Sequence, residues 1–175
     1  MSSPRTPQLD SLSTTYTGHL RFGWWSLGLY AAAGLGLETL HAFKIGGYLN
    51  ASNETRRLMW TLAHAHGALL SLVNVAFALS AQQFPFRTPP AIRTVSRSLI
   101  VATVTLPLGF FLGGVRVYGG DPSAAILLVP LGAVALIVAL VVTAMQCGPP
   151  GPAASKLRSP AHSAEGGGKT ARVSD

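Results

Sequence analysis

Two short runs carry the side chains best placed to do chemistry. The first is Glu38-Thr39-Leu40-His41. A spacing of three puts the carboxylate and the imidazole on one helix face. There they can share a metal ion, or the Glu can fix the tautomer of the His. The second run is His64-Ala65-His66. On a helix, residues two apart differ by about 200°, so the rings point to nearly opposite sides. They then serve two neighbouring sites, or each simply bonds a carbonyl. Arg116, Tyr118 and Asp121 form a third polar group, and Asn74 stands inside an apolar stretch. The plain alternatives are a Glu38–Arg116 ion pair and neutral histidines satisfied inside a bundle.

The elements that must hold these residues are set by where charge is missing. The 175 residues are 49% hydrophobic and 11% charged, with mean hydropathy +0.39. Soluble domains carry about 25% charged residues. Ser98–Val115 and Leu58–Phe86 hold no Asp, Glu, Lys or Arg, and Pro122–Ser155 is likewise uncharged. A bilayer core needs about 20 mostly apolar residues per helix. Spans are expected near 58–80, 98–118 and 123–146. A fourth, at 22–43, must take in Glu38 and His41 to reach that length. A signal peptide is rejected there, because the leading segment is long and weakly basic and Trp24-Trp25 reads as an interfacial anchor. None of the stretches alternates with period two, which rules against a β-barrel. The expected fold is an all-α bundle of four transmembrane helices at 22–146. A polar tail, 1–21, precedes it, and a disordered tail rich in Gly, Pro, Ala and Ser, 147–175, follows it.

Lys and Arg set the expected orientation. Arg5, Arg21, Arg87, Arg93, Arg97, Lys156, Arg158, Lys169 and Arg172 lie on one side of four spans, and Lys44, Arg56, Arg57 and Arg116 on the other. The positive-inside rule then puts both termini in the cytoplasm of a cell with this protein in its inner membrane. The net charge of +7 is explained by that topology and by contact with anionic lipid, without nucleic acid. Cys147 is the single cysteine, so no internal disulfide forms.

In lipid, small residues that let backbones approach mark packing faces. Ala63, Gly67 and Ser71 form such a stripe, with Asn74 on the same face. Ala102, Thr105, Gly109 and Gly113 form another, where a second copy or a membrane partner could dock. Leu27, Ala31, Gly34, Glu38 and His41 form a third, which turns Glu38 and His41 toward a packing partner. Pro107 and Pro130 fall inside the third and fourth spans. With four spans, Glu38, His41, His64, His66, Arg116, Tyr118 and Asp121 gather in the outer third of the bundle. Ionisable groups in a membrane are costly and default to a functional site.

The stretch Leu62-Ala63-His64-Ala65-His66-Gly67-Ala68-Leu69-Leu70 resembles the His-x-His helix of the heme-copper oxidase catalytic subunit. It resembles more closely the related small four-helix membrane proteins, with their His-Ala-His-Leu-Asn-Leu-Leu-Gly run at the start of the second helix. The resemblance covers about ten of 175 residues. It implies His64 and His66 as axial-ligand candidates for heme, on opposite sides of one helix. Gly67-Ala68 stands where the small relatives have Leu-Asn, and the third and fourth spans hold no His. The copper-binding set is therefore missing and oxidase activity is not implied. The Ala-His-x-x-Gly part, after an Arg pair, also resembles the second helix of hydroxylaminobenzene mutases, which are small four-span membrane proteins.

Walker, Gly-x-Ser-x-Gly, His-Glu-x-x-His and Cys-x-x-Cys motifs are absent. Three readings stay open. The polar cluster is a structural network or assembly site. Alternatively, His41, His64 and His66 hold heme, or Glu38, His41 and His64 a transition metal. In the third, Glu38 is the acid/base of a small-substrate enzyme, with Arg116 as anion clamp. Asn74, Arg116, Tyr118 and Asp121 are supporting residues in each.

Overall fold

The structure, a computed structural model, describes residues 7–49, 54–83 and 88–146. In chain order these form α1 (Pro7–Ala42), the single turn α2 (Gly46–Leu49), α3 (Glu54–Gln83) and α4 (Pro89–Val115). Two short strands follow, β1 (Val117–Tyr118) and β2 (Asp121–Pro122), then a 3-10 turn over Ala124–Leu127 and α5 (Leu128–Gln146). The described residues are all-α apart from that two-stranded hairpin.

Among the described residues, three segments are long and apolar enough to cross a membrane: Glu54–Gln83, Pro89–Val115 and Ala124–Gln146. At about 1.5 Å per residue, each exceeds the roughly 30 Å hydrocarbon core. Leu131, Val134, Ile137, Val141 and Met145 of α5 are all exposed. In water such a stripe is an association hazard; in lipid it faces a matching solvent. The protein is therefore membrane-embedded. α1 has 36 residues but is not among those three segments, since Trp, Tyr and Gly dilute its apolar stretch and Arg21 interrupts it.

The boundaries differ from expectation in ways that have physical causes. The polar segment expected at 1–21 is helical from Pro7, because the buried face of α1 continues backward through Gly23, His19 and Tyr16. α4 begins at Pro89, not near 98. Pro89 and Pro90 occupy its first turn after Thr88, where a missing N–H breaks no helical bond. It also stops at Val115, so Arg116 and Tyr118 lie outside the helix. The β1–β2 turn needs positive φ, which Gly119 (+57°) and Gly120 (+94°) supply. Pro130 is the third residue of α5, again where no partner is lost. The tail expected at 147–175 lies outside the described residues.

The long helices lie side by side in chain order. α1 packs on α3, α3 on α4 and α4 on α5, while α1 and α5 are not packing neighbours. α1 also reaches α4, through the His19–Ser96 and Tyr30–Thr103 hydrogen bonds, so the long helices pack as one all-α assembly. Neighbours run antiparallel, as glycine contacts show. A Cβ at Gly34 would lie 2.3 Å from the His64 ring, one at Gly67 2.3 Å from the Tyr30 ring, and one at Gly23 2.7 Å from Val75. The α4–α5 seam uses the same device. A Cβ at Gly109 would meet Val129 at 2.9 Å, and one at Gly132 would meet Leu106 at 2.7 Å. The Gly109/Gly113 stripe, expected to receive a partner, is therefore covered by α5 and the segment before it.

Candidate functional site

The best-buried polar cluster is centred on His19, which lies in the segment expected to be a polar tail. His19 is 2% exposed and Asn74, on α3, is wholly buried. His19 Nδ1 lies 2.7 Å from Asn74 Oδ1, which can only accept, so Nδ1 carries the proton. Nε2 then accepts from the Ser96 hydroxyl of α4 at 2.7 Å. Asn74 Nδ2 donates to Leu70 O and to Thr103 Oγ1, both at 2.8 Å. The Thr103 hydroxyl donates onward to Leu99 O at 2.7 Å. The ring edge of His19 meets Phe77 at 4.9 Å between centroids. This network ties α1 to α3 and α4 at once, and among the described residues no buried side-chain N or O lacks a partner. Asn74 belongs here and not to the histidine cluster expected around it. His19 was recoverable from the sequence by running the three-and-four spacing of Tyr30 and Gly23 back past Phe22.

Tyr30 links this network to the opposite half. Pro107 has no N–H, so the carbonyl of Thr103, four residues earlier, loses its helical donor. The Tyr30 hydroxyl donates to that oxygen at 3.0 Å. The Tyr30 ring rests on Gly67, where no side chain stands in its way.

His64 and His66 diverge, as their spacing requires. His64 faces α1: its Nδ1 is 2.7 Å from Tyr30 O, and its ring lies beneath Gly34. His66 faces α4, with its ring 5.0 Å from that of Phe110 and Nδ1 2.8 Å from Leu62 O. A carbonyl only accepts, so Nδ1 carries the proton in both rings, and a neutral ring keeps its lone pair on Nε2.

Two hollows flank the α1–α3 seam, and His64 and Leu37 border both. On the α4 side is a cleft of about 660 Å³, lined by Leu29, Gly36, Leu40, Trp60, Val104 and Phe111 among others. On the far side is a groove of about 540 Å³ that includes Glu38, His41, Tyr48 and Thr61. Glu38, His41 and His64 are thus brought to one groove. Among the described residues, however, no three His, Cys, Asp or Glu side chains are grouped to hold a metal ion.

Arg116, Tyr118 and Asp121 do not join that groove. Glu38 and His41 are exposed and do not turn into a helix contact, because the buried face of α1 runs through Tyr30, Gly34 and Leu37 instead. Arg116, Tyr118 and Asp121 are exposed around the hairpin, Tyr118 at 92%. No ion pair joins Glu38 to Arg116 among the described residues. The arginine that does the work at this end is Arg56. It donates to Gly114 O (3.1 Å), Val115 O (3.4 Å) and Gly47 O (3.1 Å). Ser123 bonds Gly113 O through its N–H and Leu112 O through its hydroxyl, and Trp60 Nε1 donates to Phe111 O. Five carbonyls at the end of α4 are closed in this way.

The fold and these contacts define a helical membrane protein with a buried histidine network and an apolar cleft. Compared with protein-family models, curated proteins and solved structures, the chain matches none.

Proposed function

We propose that this chain is a multi-pass inner-membrane protein with a structural or assembly role, crossing the bilayer four times with both ends in the cytoplasm. In this reading α1 is the fourth crossing helix, and the polar side chains are there to hold it. The observation that carries the proposal is the closed hydrogen-bond set of His19, Asn74, Ser96 and Thr103 across α1, α3 and α4. Each polar atom of His19 and the amide of Asn74 is engaged, so no donor or acceptor there is held back for a substrate. Unsatisfied polar groups are expensive in hydrocarbon, so such a set fixes which helices meet and at what height. The distribution of Lys and Arg supports the orientation.

The test is hydrogen exchange on protein in lipid nanodiscs, comparing the parent with His19→Ala. Removing the ring leaves Asn74 Oδ1 and the Ser96 hydroxyl without a partner, at a cost of about 1–3 kcal/mol. Exchange along Tyr16–Tyr30 should quicken by one to two orders of magnitude, by about tenfold per 1.4 kcal/mol if exchange goes by local opening. Equal exchange of α1 in parent and variant would show that the network does not hold it.

A further inference from the structure

The cleft between α1, α3 and α4 has a chemistry that its lining specifies. Its walls are almost entirely apolar side chains, and its volume of about 660 Å³ falls within the roughly 300–1,000 Å³ of small-molecule sites. It opens beside the membrane-crossing parts of α3 and α4, so its occupant arrives from the lipid phase. The donors on its wall are already engaged. Tyr30 O–H is bonded to Thr103 O, Trp60 N–H to Phe111 O, and His64 Nδ1–H to Tyr30 O. What is left is an acceptor, Nε2 of His64, which has no partner among the described residues, on a ring that borders both this cleft and the groove of Glu38 and His41. His64 stands about 15 Å along α3 from Glu54, well below the helix end. A phospholipid acyl chain can fill the cleft but cannot satisfy that nitrogen, because it has no donor.

We propose that the cleft binds an apolar chain ending in an O–H donor, with the chain along Leu29, Gly36, Val104 and Phe111 and the hydroxyl donating to His64 Nε2. A long-chain alcohol and a protonated long-chain acid share this chemistry. The proposal uses the membrane setting of α3 and α4 but not the four-span topology, and it stands or falls separately from the network reading above. Gly34 serves the site by leaving room for the ring. Gly36 lines the cleft with open space over its α-carbon, so a larger side chain there fills the cleft without striking the protein.

Trp60 lines the cleft and reports on it. In a variant carrying Trp24→Phe and Trp25→Phe, reconstituted in phosphatidylcholine vesicles, Trp60 is the only indole. The probe is dibrominated octadecanol, whose bromines quench indole on contact, compared with its methyl ether, which has the same chain and no donor. Quenching should saturate, with the alcohol binding about 5–10-fold more tightly than the ether, as one added hydrogen bond provides. His64→Ala should bring the two probes level. Gly36→Leu should abolish saturable quenching, while Gly28→Leu, also on α1 with open space above it but away from the cleft, should leave it intact. Equal affinity for alcohol and ether in the parent would overturn the proposal. So would saturable quenching that survives Gly36→Leu. Purified protein showing a Soret band that His64→Ala removes would also overturn it, assigning the nitrogen to a heme iron.

Discussion

Tyr30 and Pro107 show how one side chain answers for a defect in another helix. Pro107 strips the donor from Thr103 O, and the Tyr30 hydroxyl replaces it. Tyr30→Phe should therefore destabilise the protein by about 1–3 kcal/mol, the cost of a buried acceptor left open. Pro107→Ala restores a backbone N–H at that position, so the same Tyr30→Phe change in that background should cost less. The double-mutant cycle, read by unfolding of the solubilised protein, should show a coupling of about 1 kcal/mol. Additive effects would mean that the tyrosine and the freed carbonyl are independent. Gly67 is part of the same device. Its missing Cβ leaves the Tyr30 ring its place, and Gly67→Ala should displace the ring and cost a similar amount. The spacing of His64 and His66 was legible in the sequence, because helix geometry alone sends the rings apart. Their partners were not, because a carbonyl acceptor such as Tyr30 O has no side-chain signature.

At the scale of elements, the C-terminal end of α4 is held by side chains of other segments. Arg56 and Ser123 close its last carbonyls, and α5 seals its small-residue face. Arg56→Ala should release the final turn, so amide exchange at 113–118 quickens while α3 and the lower part of α4 stay protected. Unchanged exchange there would show the guanidinium contacts to be idle. Gly132→Leu would drive a side chain into Leu106 and Thr105, where the backbone of α4 is also close. It should part α5 from α4 and lower the recovery of folded protein in detergent. α3 and α5 could be read from the sequence because uncharged runs mark buried or lipid-facing helix unambiguously. The early part of α1 could not, since Asp10, Arg21 and several hydroxyl residues hide its helix, and only packing against α3 shows which face is inside. The start of α4 was hidden for another reason. Pro89-Pro90 breaks a helix in its interior but begins one equally well. The expected meeting of Glu38, His41, Arg116 and Tyr118 failed on rotation and on length. The buried face of α1 is centred on Tyr30 and Gly34, and α4 ends before Arg116.

For the whole molecule, the proposed topology has α1 crossing the membrane with the other three long helices. α3, α4 and the segment ending in α5 are long and apolar enough to do so by composition, and α1 is not among them. The antiparallel order of the long helices puts the start of α1 and the end of α5 on one face, with the β1–β2 hairpin on the other. Single-cysteine labelling reads this directly. In a Cys147→Ser background, Ser2→Cys, Tyr118→Cys and Ser174→Cys are each treated with a membrane-impermeant maleimide, on intact cells and after permeabilisation. The account predicts that Tyr118→Cys labels in intact cells, while Ser2→Cys and Ser174→Cys label only once the membrane is opened. Labelling of Ser2→Cys in intact cells, alongside Tyr118→Cys, would contradict it.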